Sequence, residues 1–444
     1  MKLNTALRVA PARTHEGAIA ARLTDKQQLE RAVSACLLWE DGFYEDGKTV
    51  ADRIKELAHK VSPEDVSALA AKARTDLNLR HAPLLLAREL CRHPKLTDEN
   101  RPLVSETIEW VIRRADELAE FVSIYWKDGK QSLSAQAKKG LAKSFLKFDE
   151  YQLAKYNRDG AIKLRDVLFM CHAKPDTKAR EKLWKRLVDG ELTTPDTWEV
   201  TLSSGADKLT AWTRLIDENK LGALAFLRNL CNMGQAGVSE RKIKDALATL
   251  DVSKVLPFRF IAAARAAVGF EKELETLMFR SLEGSEKLAG KTIVLVDVSG
   301  SMDAELSAKS DLTRIDAACA LAAVLREICE ECTVLSFSNA LTRIPDRRGF
   351  SMIDAIKNSQ PHHGTYIGAS VNTAFTHHGE ATRTVVITDE QSHDAVPGPG
   401  ERAGYMINVA TNQNGVGFGD WVRISGFSES VVRFIQNLEA PIWE

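Results

Sequence analysis

The stretch Lys291-Thr-Ile-Val-Leu-Val-Asp297-Val-Ser299-Gly-Ser301-Met302 decides how the chain is read. An apolar, β-branched run ends on an aspartate, and two hydroxyls follow at alternate positions. The run reads as a buried parallel strand whose carboxyl end opens into a loop. In an open α/β sheet, ligands sit outside the carboxyl ends of the strands. Asp297, Ser299 and Ser301 therefore present three hard oxygen donors to such a crevice, a set suited to Mg²⁺ or Mn²⁺.

Downstream of this stretch, strands alternate with helices. The pattern predicts strands over Thr292–Asp297, Thr333–Phe337, Thr384–Asp389, Tyr405–Ala410 and Val422–Ile424. Helices are expected over Arg314–Ile328, Ser351–Asn358, Thr365–Phe375 and Glu429–Leu438. That alternation implies an α/β, doubly wound parallel sheet. Three loops then share one sheet edge: the loop after Asp297, the His363-Gly364-Thr365 turn, and the Thr388-Asp389 strand end. Asp297, Ser299, Ser301, Thr365 and Asp389 are the expected ligands of one Mg²⁺ or Mn²⁺, with water completing an octahedron. A site so short of carboxylates favours one from a partner. The competing reading is that Asp297 and Asp389 only cap helices. The D-x-S-x-S pattern resembles the metal-ion-dependent adhesion site of von Willebrand factor A domains.

Ser299, His363 and Asp389 contain the residue types of a hydrolytic triad, but Ser299 lacks the preceding glycine of a nucleophile elbow. No enzymatic activity is expected. Asn414-Gly-Val-Gly-Phe-Gly419 does not follow a strand and open a helix as a dinucleotide fingerprint would, and reads as a loop. His362-His363 and His377-His378 read as surface or packing residues.

Upstream the periodicity is helical. Helices are expected from Thr24, over Lys48–Lys60, from Ser62-Pro63 into Ala73, and over Ala82–Cys91 and Pro102–Phe121. Ser132–Tyr156 and a series of hairpins between Asp176 and Gly269 follow. Pro63 after a serine cap suits the first turn of its helix. Short loops between helices are the pattern of a HEAT-like α-solenoid. Leu282–Gly290 is small and polar enough to be a linker. The expected domains are 1–285, helical, and 286–444, α/β.

The 444 residues are too many for one ordinary core, and 44% hydrophobic with 27% charged residues is a globular composition. No run of about 18 consecutive apolar residues suggests a membrane span. Met1–Arg13 lacks the apolar core of a secretory signal. Seven scattered cysteines fit reduced thiols. Cys329-Glu-Glu-Cys332, without a second such pair, reads as packing. The expected setting is cytoplasmic, with no membrane association and a monomeric chain.

The net charge of −1 conceals segregation. Phe121–Asp189 holds 16 Lys+Arg against 8 Asp+Glu, an excess of 16 − 8 = +8. Lys291–Glu444 holds 12 against 19, or 12 − 19 = −7. Opposite charge in two parts of one chain suggests that the basic part meets a polyanion. Lys139, Lys143 and Lys147 recur every four residues and so share a helical face, with Lys138 beside them. Lys155, Arg158, Lys163, Arg165 and His172 continue the series, and Tyr151 and Tyr156 interleave. A lysine stripe is most simply a solvated face. Sparse acid and interleaved aromatics favour a phosphate-binding surface.

Trp39-Glu-Asp-Gly-Phe-Tyr-Glu-Asp-Gly47, Lys147-Phe-Asp-Glu-Tyr-Gln-Leu-Ala-Lys-Tyr156, Lys163-Leu-Arg-Asp-Val-Leu168 with Cys171-His-Ala-Lys-Pro175, and Leu221-Gly-Ala-Leu-Ala-Phe-Leu-Arg-Asn-Leu230 together resemble the Ro autoantigen (TROVE-domain) family, in its compact bacterial or phage form. The resemblance implies a ring of HEAT-like hairpins fastened by a von Willebrand factor A domain. It implies small structured, Y-like noncoding RNA on the basic outer surface, and single-stranded 3′ ends of misfolded RNA in the hole. An exoribonuclease or other RNA-processing protein would be the partner. Lys155 and His172 match positions the family uses for RNA. The family's second basic position after Lys155 falls at Asp159, with Arg158 next to it. The alternative is a metal-dependent protein adaptor whose metal loop recruits a carboxylate-bearing partner.

Overall fold

The computed structural model describes residues 13, 14, 16–18, 23–35, 47–75, 79–157, 159–203, 205, 207–253, 255, 257–283, 286–306, 312–410, 415–417, 419–425, 431, 435, 436 and 439. The 39–46 stretch, Arg158, Asn414, Phe418 and most of the expected closing helix lie outside them; residues 431, 435, 436 and 439 of that segment are helical.

The chain forms two compact units. One comprises residues 25–39 and 48–221, and the other residues 1–24, 40–47 and 222–444. The units divide after Leu221, whereas the change from helix to strand falls between Ser281 and Leu288.

The first unit is all helical: α1 (Asp25–Ala35), α2 (Gly47–Lys60), α3 (Pro63–Thr75), α4 (His81–Leu90), α5 (Pro102–Val111), α6 (Asp116–Tyr125), α7 (Ala135–Phe145), α8 (Glu150–Tyr156), α9 (Leu164–Met170), α10 (Lys178–Asp189), α11 (Trp198–Ser203) and α12 (Lys208–Asp217). One continuous apolar core runs from Leu29 through Leu84–Leu86, Ile108, Phe121, Phe145 and Leu153 to Leu187. Pro63 opens α3, and the Ser62 hydroxyl accepts from Asp65 N at 3.1 Å.

Two expected helices are each split. The Pro102–Phe121 segment breaks because Ile112 turns extended, with ψ 108°. The buried Glu117 carboxylate then accepts from Arg113 N and Arg114 N at 2.8 and 3.0 Å and from Arg74 at 2.7 Å. Those amides belong to the break, and only the tertiary placement of Glu117 satisfies them. The Ser132–Tyr156 segment breaks at Asp149, whose side chain caps α8 reciprocally with Gln152.

The second unit adds α13 (Ala223–Gln235), α14 (Glu240–Thr249), α15 (Pro257–Ala266) and α16 (Glu271–Ser281). These precede β1 (Leu288–Asp297), α17 (Arg314–Ile328), β2 (Cys329–Phe337), β3 (Leu341–Arg343), α18 (Gly349–Lys357), α19 (Ile367–His377), β4 (Arg383–Thr388), β5 (Ala403–Asn408) and β6 (Val422–Ser425). The sheet order is β3-β2-β1-β4-β5-β6. All pairings are parallel except that of β3, an edge strand antiparallel to β2. Nothing in the local pattern marks β3, whose three residues are too few to show alternation. β1 and β4 are neighbours whose crossovers leave in opposite directions, so the crevice for a ligand opens between their carboxyl ends. The six residues of β4 are all buried, as in a strand covered on both faces.

Candidate functional site

At the β1–β4 crevice the last residue of β1, Asp297, is fully buried. One of its oxygens accepts from Ser299 N at 2.9 Å, and the other from the Thr388 hydroxyl at 2.6 Å. The Ser299 and Ser301 hydroxyls are 3.3 Å apart, and Ser301 donates to Asp389 Oδ2 at 2.6 Å. Gln391 N holds the other Asp389 oxygen at 3.1 Å. Four of the five expected metal ligands thus form one hydrogen-bonded cluster. Thr365 is buried beside it and joined through the main chain. Gly300 N donates to His363 O at 3.0 Å, and Thr365 N donates to His393 Nδ1 at 3.2 Å.

Two carboxylates so placed are costly. Burial, and then the neighbouring charge of Asp389, push the Asp297 carboxyl well above the usual range. Arg314, 4% exposed at its side chain, approaches Asp389 Oδ2 at 3.8 Å and donates to Ser301 O at 3.4 Å. A small divalent cation fits this donor set, because buried oxygens that repel one another are what Mg²⁺ or Mn²⁺ compensates. No cluster of three or more His, Cys, Asp or Glu suited to a metal occurs among the described residues; here hydroxyls supply the rest of the donors. Thr388 and Arg314 were missed by sequence reasoning. Thr388 was visible beside Asp389, but nothing local marks Arg314 as facing the crevice.

The basic series lies on α7, α8, α9 and the turns after them. The Ser134 hydroxyl caps α7, accepting from Ala137 N at 3.2 Å. Gly140 lets α7 approach α5: a Cβ there would stand 2.7 Å from Ile108 Cβ and 2.9 Å from Ser105 O. This close approach sets the fate of the lysine stripe. Lys143 pairs with Glu109 of α5 at 3.1 Å. The Lys147 ammonium donates to Ile112 O at 2.6 Å and to Glu109 O, satisfying carbonyls at the end of α5. Lys138 and Lys139 have no ion-pair partner among the described residues. Lys155 stands 6.0 Å from the centroid of Tyr151, which is 51% exposed, and 5.8 Å from that of Tyr156. Arg114 stacks over the Tyr156 ring at 4.7 Å. His172, exposed just after α9, holds a left-handed φ of 52°. The expected Arg158 lies outside the described residues. Cations without an ion-pair partner and one exposed ring, Tyr151, can hold phosphates and stack a base.

No helix among the described residues is long and apolar enough to cross a membrane. The comparisons with known proteins agree with the helical reading. Residues 185–295 match the TROVE domain model. A segment of 92 residues is 37% identical to telomerase protein component 1 of Mus musculus and covers 19% of this chain. The corresponding segment is 35% identical to the Rattus norvegicus protein. The chain spans 4% of the length of these curated relatives. Among solved structures, the Ro (RSR) protein of Deinococcus radiodurans superposes with a TM-score of 0.65 and 17% identity, covering 92% of this chain and 98% of that one. The chain therefore carries a TROVE-domain match and shares the fold of the Deinococcus Ro protein.

Proposed function

We propose that this chain is an RNA-binding protein of the Ro type. Its basic surface holds small structured, Y-like noncoding RNA, and the protein also takes up single-stranded 3′ ends of misfolded RNA. It serves RNA quality control or processing beside an exoribonuclease or other RNA-processing protein. The observation that carries this reading is the set of cations without an ion-pair partner on α7 and α8, Lys138, Lys139 and Lys155, the last of them beside the exposed Tyr151 ring. Rings accept any base, and ammonium groups accept any phosphate, so binding has little sequence preference and strong salt dependence.

Mg²⁺ or Mn²⁺, when bound, would be held by Asp297, Ser299, Ser301 and Asp389 with Thr365 at the edge, and would supply a Lewis-acid anchor for a carboxylate. The buried, mutually repelling pair Asp297 and Asp389 favours that second role, a metal-dependent adaptor surface. It is compatible with RNA binding elsewhere on the chain.

The test is a filter-binding titration with a hairpin RNA carrying a single-stranded 3′ tail, over a range of salt. Affinity is expected to fall steeply with salt. Lys138→Glu, Lys139→Glu and Lys155→Glu together should weaken it and flatten the slope by about 2, at about 0.7 for each phosphate that is no longer neutralised. Unchanged affinity in that triple variant would remove the assignment from this face.

A further inference from the structure

An open cavity of about 600 Å³ lies beside α5 and α8, within the range of small-molecule sites. Its walls include Glu106, Trp110, Arg113, Lys147, Phe148 and Gln152. Glu106 and Trp110 are four apart on α5 and so share one face of it, and Arg113 follows just after the break at Ile112. Trp110 is 54% exposed, and Arg113 Cζ stands 5.5 Å from its ring centroid. Phe148 is buried beneath.

The polar groups are not equivalent. Glu109 is taken by Lys143 and Lys147 by the end of α5. Glu106 has no hydrogen-bond or ion-pair partner among the described residues. Gln152 Oε1 accepts from Asp149 N at 3.0 Å, which leaves its amide nitrogen to donate. One large exposed ring, one cation near that ring, one free carboxylate and one free amide donor thus face the same space. The stripe that contributes Lys143 and Lys147 to this edge begins one turn earlier with the unpaired Lys139.

We propose that this cavity takes one unstacked guanine of single-stranded RNA. The indole of Trp110 is the stacking platform, and the Glu106 carboxylate accepts from the guanine Watson–Crick edge. The inference rests on the RNA-binding reading above. Guanine is chosen by its donors: N1–H and the N2 amino group lie side by side and can donate together to the two oxygens of a carboxylate. Adenine and cytosine each present one amino group next to a ring acceptor, which repels the second oxygen. Uracil offers one N–H between two carbonyls. Gln152 is placed to donate to a base carbonyl, and Lys139 to a flanking phosphate.

The test is fluorescence anisotropy of the full chain with labelled pentanucleotides UUGUU, UUAUU, UUCUU and UUUUU at fixed low salt. The wild type should bind UUGUU most tightly. Trp110→Ala should weaken that binding roughly tenfold or more, the usual loss of one base–aromatic stack, while Trp110→Phe keeps most of it. Glu106→Gln should reduce the preference for UUGUU and leave the other three unchanged. Melting curves of each variant serve as the fold control, and an exposed indole tolerates truncation. If the Lys138, Lys139 and Lys155 reversals weaken every pentamer while Trp110→Ala changes none, the cavity is not a base site and the RNA reading stands. Equal affinity of the wild type for all four pentamers overturns the guanine assignment. If neither the pentamers nor the tailed hairpin bind, both readings fall.

Discussion

Asp316, in the first turn of α17, and Asp297, at the end of β1, are 1% and 0% exposed. Their surroundings have opposite sign. Arg265 donates to both oxygens of Asp316, Lys357 stands 2.8 Å away, and Thr313 N donates at 2.9 Å in a reciprocal cap. Burial alone would raise the Asp316 carboxyl, but the guanidinium and the ammonium overcome it and hold the group at about 2. Around Asp297, burial and Asp389 act in the same direction, and hydrogen bonds from Ser299 and Thr388 offset them only in part. The fold compensates one buried charge completely and leaves the other short of positive charge. A compensated charge holds the structure together, and an uncompensated one is available to a ligand.

The same distinction divides the lysine stripe. Lys147 is spent on the carbonyls of α5, whereas Lys139 is spent on nothing. Reading function from charge therefore requires knowing which charges the fold has already used.

The sharpest way to break this comparison is Asp316→Ala, which strands Arg265 and Lys357 together. A loss of about 3–5 kcal/mol in urea unfolding at pH 7 is expected, as for a buried pair deprived of one partner. Because the folded carboxyl is depressed, its stabilisation is present above the unfolded value near 3.8 and is lost as pH falls through about 2. The difference between wild type and variant should accordingly shrink over that window. A difference independent of pH would show that the ion pairs are not its source.

Next is Asp297→Ala. The wild type should gain about 2.7 kcal/mol of stability at a Mg²⁺ or Mn²⁺ concentration a hundredfold above its Kd. The variant should gain none; because it also leaves Ser299 N and the Thr388 hydroxyl without their acceptor, the response to metal rather than the metal-free melting point reads the cation site. An equal metal response in both would take the cation away from this crevice.

The smallest effects belong to the lysines and should cross over. Lys147→Met is expected to lose about 1.5 kcal/mol, the low end for a hydrogen-bonded charge because Lys147 is exposed, with little change in the salt slope of RNA binding. Lys139→Met should stay within about 0.5 kcal/mol in stability but weaken RNA binding. Denaturation and filter binding on the two variants read both quantities.

Much of the second unit was legible locally. The β-branched runs at Thr292–Val296 and Thr384–Ile387 are strands, and the residues after them form the crevice as their order implied. The hydroxyl and carboxylate at Ser301 and Asp389 meet because β1 and β4 are adjacent. In the helical unit, periodicity located the helices but ran two of them together. One break depends on Glu117, whose partners include Arg74 on α3, 43 residues away in sequence, and the other on the local cap between Asp149 and Gln152.

By itself, then, the sequence determined the element types, the strand ends that bear oxygen ligands, and the concentration of positive charge between Phe121 and Asp189. Each of these is a property of near neighbours in the chain, where backbone periodicity and composition act. The tertiary structure alone decided which charges remain free. Lys147 finds its carbonyl 35 residues away, and Asp297 finds the Thr388 hydroxyl 91 residues away. Compensation of a buried charge depends on the few ångströms around it, and the chain fills that space from distant segments only when it folds.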